Sequence, residues 1–296
     1  MFIGLYYRWK IYRGKKKVNT KKKKMLYFSI VIVAFALFIF LFIKPDTTKS
    51  QHNTQSTPTL FVHGFKGGPR SFNFMLERFQ NQYHWGKKTM VCEVDKNGHL
   101  HIYGGIPTYS KNPFIQVVFK NNRASIQDTT NWLKEIMTVL NQRYNVKEIY
   151  VVGHSMGGLV LTNFIEQSNG QYPEVQKLIT IGSPFKGIQK ETYYQNVHNT
   201  GPAIFDLKSH SPFLQSLVSN RNTFNRHIQV LSIAGVAKDP EDGDGVVSLN
   251  SALGLQDIVP NSNFHKKIIY DPHATHSSLH EHPIVDQYIG EFLWGY

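Results

Sequence analysis

The chain of 296 residues has one cysteine, Cys92, so it can close no intrachain disulfide and offers no cysteine-built metal cluster. Within "TMVCEV" that cysteine reads as a residue of a half-buried strand. Acidic residues are missing from positions 1–24, which carry ten Lys or Arg; without them the net charge of +13 falls to +3. The basic excess is therefore local, which argues against nucleic acid as a partner. H-E-x-x-H is absent, and none of Asp239, Asp242 and Asp244 opens the D-x-[DN]-x-[DN]-G spacing of a calcium loop. No metal and no cofactor are expected. A fixed-period repeat is also lacking, and with 41% hydrophobic and 13% aromatic residues the expectation is one large globular domain.

Charge is absent again from "MLYFSIVIVAFALFIFLFI", residues 25–43, a run long enough to cross a bilayer as a helix. Lysine runs at 15–17 and 21–24 precede it, whereas only Lys44, Asp46 and Lys49 follow closely. That asymmetry predicts a basic cytoplasmic tail (1–24), a transmembrane anchor (25–43) and a C-terminal bulk outside the cell membrane. The A-x-A at Ala34–Ala36 lies inside the apolar run rather than after it, which favours an uncleaved anchor over a signal peptide. Met25 would serve as a start as well as Met1. Residues 44–57 are polar, rich in Thr, Ser and Gln, and read as a stalk.

From "TLFVHGF" onward, strand and helix patterns alternate over a domain at 58–296. Two alternating runs around Asn97-Gly98 predict a hairpin. "PFIQVVF" (113–119) reads as a strand, 125–144 as an amphipathic helix, and "VKEIYVVG" (146–153) as a strand buried on both faces. "MGGLVLTNFIEQS" follows as a helix. "VQKLITIGSP", "HIQVLSIAGV" and "HKKIIYD" read as strands, and "PIVDQYIGEFLWGY" as a closing helix. The expectation is a doubly wound α/β fold with a mostly parallel sheet and one N-terminal transmembrane helix.

Gly153-His154-Ser155-Met156-Gly157 between strand and helix is a G-x-S-x-G elbow in its required context. Such a turn strains the serine backbone, and the flanking glycines remove side chains that would clash. A serine hydroxyl is a weak nucleophile at neutral pH, so Ser155 needs a base, and the base needs a group to orient it.

The chain resembles the α/β-hydrolase superfamily, and more narrowly the membrane-anchored or secreted hydrolases of Gram-positive bacteria known as the domain-of-unknown-function 915 family. The likeness is carried by "FVHGFKGG" (61–68), "VVGHSMGGL" (151–159), "GSPFKG" (182–187), "DGDGVVSLNSA" (242–252) and "HSSLHEHPIVDQYIGEFLW" (276–294). It implies an α/β-hydrolase fold over about residues 58–296 and a triad in the order Ser, acid, His.

Position and resemblance together point to Asp244, in a loop after a strand and similar to the Asp-Gly-x-Val acid of bacterial lipases; Asp242 is the second choice. The base falls on His276, between the last strand and the last helix. Zinc on His273, His276, His280 and His282 is the competing reading, weakened by the missing cysteines. Oxyanion donors are expected at the N–H groups of Met156 and Phe65, with His63 holding its loop. Residues 184–226 hold Tyr193, Tyr194, Phe205, Phe213, Leu214, Leu217 and Phe224 among polar residues, which suits a cap or lid and equally a helix pair packed on the sheet.

Two functions follow. One is a membrane-anchored serine hydrolase acting on a small-molecule or lipid ester; the other is a surface binding protein that keeps the fold without turnover.

Overall fold

A computed structural model describes residues 56–296. The tail at 1–24, the anchor at 25–43 and all but the end of the stalk at 44–57 lie outside them. No helix among the described residues is long and apolar enough to cross a membrane.

Eight strands form one sheet: β1 (Thr59–Val62), β2 (Lys87–Val94), β3 (Leu100–Gly104), β4 (Pro113–Phe119), β5 (Glu148–His154), β6 (Glu174–Ile181), β7 (Gln229–Val236) and β8 (Phe264–Tyr270). Their order is β3-β2-β4-β1-β5-β6-β7-β8. Only the β2–β3 hairpin is antiparallel; every other neighbouring pair is parallel. In the hairpin turn Gly98 has φ 88° and Asp95 accepts from the N–H groups of Asn97 and His99. Cys92 is buried on the inner face of β2, and burial pushes its thiol pKa up to about 12, which leaves it inert.

Alternation along the strands divides the core between two faces. Leu60 and Val62 of β1 and Val151 of β5 face α2 (Ile126–Tyr144) and α3 (Met156–Glu166). Phe61 and Val152 face α1 (Arg70–Glu77) and α8 (Pro283–Trp294) instead. Helix α2 starts where the sequence places it: Ser125 caps it by accepting from the Asp128 N–H at 3.0 Å, and Asn145 ends it in a left-handed conformation. Helix α1 and the π-helical turn Arg78–Gln82 that continues it are additions to the sequence reading.

Chain order reverses beside β1, which lies between β4 and β5. The loops leaving the carboxyl ends of β1 and β5 are therefore neighbours, at the switch point where doubly wound sheets place their sites.

Residues 184–226 carry α4 (Glu191–Gln195), α5 (Ala203–Asp206) and α6 (Pro212–Ser219). Leu214, Leu217 and Phe224 are buried in the core shared with α3, and Tyr193, Tyr194 and Phe213 are half-buried against it, while Phe205 is exposed. Part of the segment thus packs on the fold. Its earlier part, before α6, reaches over to the β1 loop.

Candidate active site

Ser155 stands between β5 and α3 with φ 55° and ψ −127°, a conformation that a serine adopts only when its surroundings enforce it. Its N–H donates to the Ile181 carbonyl at 2.9 Å, tying the turn to the end of β6. The glycines do what the motif requires. A Cβ on Gly157 would lie 2.2 Å from the Val62 carbonyl oxygen, and one on Gly153 would lie 2.5 Å from the Gly158 nitrogen.

Asp244 lies in the loop between β7 and the short helix α7 (Leu249–Ala252) and is 2% exposed. Its Oδ1 accepts from the N–H groups of Val246 (3.0 Å) and Val247 (2.7 Å). That leaves Oδ2 facing His276 Nδ1 at 2.7 Å. With the Nδ1 proton on the Asp244 side, Nε2 is free to accept from the Ser155 hydroxyl, 2.9 Å away. The His276 N–H also donates to the Asp244 carbonyl, which locks the loops after β7 and β8 together. Asp242 does not reach this row. It pairs with Lys190 at 2.9 Å, and that lysine holds its carboxyl below the usual range.

A buried network lies behind His276. His154 Nε2 donates to the His276 carbonyl at 2.9 Å, and the His280 ring meets the His154 ring edge-on at 4.9 Å. Burial, reinforced by His276 and His280, holds His154 well below the usual histidine pKa, so it is neutral. His280 Nδ1 lies 3.0 Å from Glu281. Arg78 then binds Glu281, the His280 carbonyl and both oxygens of Asp286, which is fully buried on α8. Apart from the adjacent His280 and Glu281, none of these pairings is visible from local spacing.

Around the β1 loop, His63 is buried, with Nδ1 at 2.9 Å from the Gly64 carbonyl and Nε2 accepting from the Phe119 N–H at 3.0 Å. Burial lowers its pKa to about 4, so it stays neutral and ties the loop to β4. A Cβ on Gly64 would lie 2.7 Å from Ser155 Cβ and 3.1 Å from the Met156 nitrogen. The loop therefore runs directly against the elbow. Among the described residues, the amide protons of Phe65 and Met156 have no internal acceptor.

The clustered histidines have separate occupations. The His273 N–H donates to Asp271, His282 caps α8 by accepting from the Ile284 N–H, and His276 and His280 are engaged as above. Among the described residues, no group of three or more His, Cys, Asp or Glu is placed to hold a metal ion.

A doubly wound sheet with a strained serine elbow at its switch point, and an acid and a histidine delivered from later strands, defines an α/β hydrolase. The chain belongs to the DUF915 family, alpha/beta hydrolases of unknown function, whose model matches residues 46–296. Among solved structures it is similar to the product of gene lin2722 from Listeria innocua, with 28% identity, a TM-score of 0.70, and coverage of 81% of this chain and 95% of that one. It is also similar to a candidate cell-surface hydrolase from Lactobacillus plantarum, with 25% identity, a TM-score of 0.63 and coverage of 81% and 92%. Mature lipase BlEst2 from Bacillus licheniformis shares the fold at 16% identity, a TM-score of 0.55 and coverage of 81% and 93%. No curated protein matches the chain.

Proposed function

We propose that the protein is a serine hydrolase that cleaves carboxylic ester or acyl bonds through Ser155, His276 and Asp244. The observation that carries this reading is the unbroken row from Asp244 Oδ2 to His276 Nδ1 (2.7 Å) and from His276 Nε2 to Ser155 Oγ (2.9 Å).

Ser155 Oγ attacks the acyl carbon while His276 Nε2 takes the hydroxyl proton. Buried Asp244 holds the imidazole in the required tautomer and stabilises the imidazolium. The carbonyl oxygen becomes an oxyanion and accepts from the Met156 and Phe65 N–H groups, each such donor contributing about 3 kcal/mol to lowering the barrier. Collapse expels the alcohol, which leaves with the proton from His276, and an acyl-enzyme remains. Water, deprotonated by the same His276, then releases the acid and restores Ser155.

The charge-free run at 25–43 and the lysines before it support an anchored enzyme with its N-terminus cytoplasmic and its catalytic domain outside. A fluorophosphonate probe tests the chemistry. Capture on the peptide containing Ser155 is the expected result. Absence of capture in folded protein would mean a binding protein on a hydrolase fold.

A further inference from the structure

Lys66 directly follows Phe65, the residue read above as an oxyanion donor, and has a left-handed backbone with φ 57°. Its N–H donates to the Asn122 carbonyl at 2.9 Å, which pins the loop after β1 to the loop after β4 and brings Arg123 alongside. The two cations flank one ring: Lys66 Nζ lies 5.7 Å and Arg123 Cζ 5.6 Å from the centre of Phe65. Their polar partners are all neutral. Lys66 Nζ donates to Asn199 Oδ1 at 2.6 Å. Arg123 Nη1 donates to the His198 carbonyl at 2.6 Å and lies 3.4 Å from the Thr200 carbonyl and hydroxyl oxygens.

Among the described residues, no carboxylate comes within 4.0 Å of either cation. The lysines across the site are different, since Lys190 is paired with Asp242 and Lys186 with Asp257. Lys66 is exposed and Arg123 half-buried; partial desolvation and the Arg123 charge hold the Lys66 pKa below its usual value. The lysine head is not left to wander. Asn199 is buried and anchored through its own Nδ2 to the Tyr193 carbonyl at 2.7 Å, so its oxygen holds Lys66 beside the loop. An ammonium with donors to spare and a forked guanidinium match a carboxylate or a phosphate.

We infer that Lys66 and Arg123 form an anion subsite next to the oxyanion loop, and that the preferred ester carries a carboxylate or phosphate near its scissile carbonyl. This rests on the serine-hydrolase reading for the word ester, but not for the anion. The subsite would select negatively charged esters over neutral ones of the same length, and charge on the substrate would replace the acid that the fold leaves out.

Binding to the full chain carrying Ser155→Ala tests the subsite without turnover. Calorimetric titrations compare two matched pairs. In the first, 4-nitrophenyl hydrogen glutarate against 4-nitrophenyl valerate, the charge is on the acyl side; in the second, butyryl glycerol 3-phosphate against monobutyrylglycerol, it is on the alcohol side. The anionic member of at least one pair is expected to bind about tenfold more tightly. That advantage should shrink as salt rises from about 0.05 M to about 0.5 M. It should fall below about threefold when Lys66→Gln and Arg123→Gln are added, with the fold checked by circular dichroism. Equal affinity within both pairs, or an advantage that survives the double substitution, would overturn the inference. Release of nitrophenol by the unsubstituted chain is read separately: failure there, with the binding preference intact, would overturn the hydrolase reading alone.

Discussion

Gly182 approaches Asp244 so closely that a Cβ on it would lie 2.9 Å from Asp244 Oδ2, the oxygen that faces His276, and 3.5 Å from His276 Nδ1. Its φ of 55° adds strain for any side chain. Gly182→Ala should therefore displace the carboxylate and lower kcat by tenfold or more, with about 1 kcal/mol lost from stability. Steady-state kinetics and a thermal melt check both numbers. Unchanged kcat would show that the Asp244 position matters less than argued.

The two aspartates of "DGDG" separate cleanly. Asp244→Asn should cut kcat by about 10³–10⁴-fold, because an amide cannot hold the imidazole tautomer. Asp242→Asn removes only an exposed pair with Lys190 and should alter kcat less than about twofold. The reverse ranking in kinetic assays would move the acid by two residues.

Arg78 joins Glu281 and Asp286 across the sheet face that carries α1 and α8. Arg78→Met would leave the fully buried Asp286 without its cation, whose carboxyl burial already lifts above the usual range. The expected loss is about 3–5 kcal/mol in denaturant unfolding, and replacing Asp286 with Leu in the same chain should recover much of it. A loss below about 1 kcal/mol for the single variant would contradict this.

Glu166, at the end of α3, is buried with neither carboxylate oxygen hydrogen-bonded among the described residues, and burial raises its pKa to about 8. An unfolded chain ionises this group above the ordinary glutamate value of 4.5, whereas the folded one keeps it neutral up to about 8. The unfolded state therefore binds fewer protons in that window, and the fold is progressively destabilised as pH rises through it. Glu166→Met removes the titration. Its stability relative to the native chain should rise by about 5 kcal/mol between pH 4.5 and pH 8. A pH-independent difference in melts would refute the assignment.

Much of this architecture is legible locally, and the reasons are physical. Strands β4, β5 and β7 are near-continuous apolar runs because helices cover both their faces. The elbow is legible because its constraints act within five residues. Phe72, Met75, Leu76 and Phe79 also carry helical spacing, but they follow Gly67-Gly68-Pro69, which reads as loop, and the helix they form lies outside the sequence reading. Strand order was not readable, since β1 meets β5 only through contacts across some 90 residues. Nor was the Arg78–Asp286 pair, whose members stand 208 positions apart. Spacing alone could not choose between Asp242 and Asp244; only the backbone N–H groups of Val246 and Val247 orient one of them towards a histidine.

The proposed orientation is testable in cells. Protease added to intact cells should release an active fragment beginning near residue 50, within the polar stretch after the charge-free run. Protection until the cells are broken would reverse the orientation.

The covalent intermediate is the most direct test of the account. The full chain is mixed with 4-nitrophenyl butyrate, quenched in acid within the first turnovers, digested and weighed by mass spectrometry. The peptide containing Ser155 should gain one butyryl group, and the Ser155→Ala chain should gain none and release no nitrophenol above background. Turnover by the Ser155→Ala chain, or an acyl group carried on another residue, would contradict the mechanism.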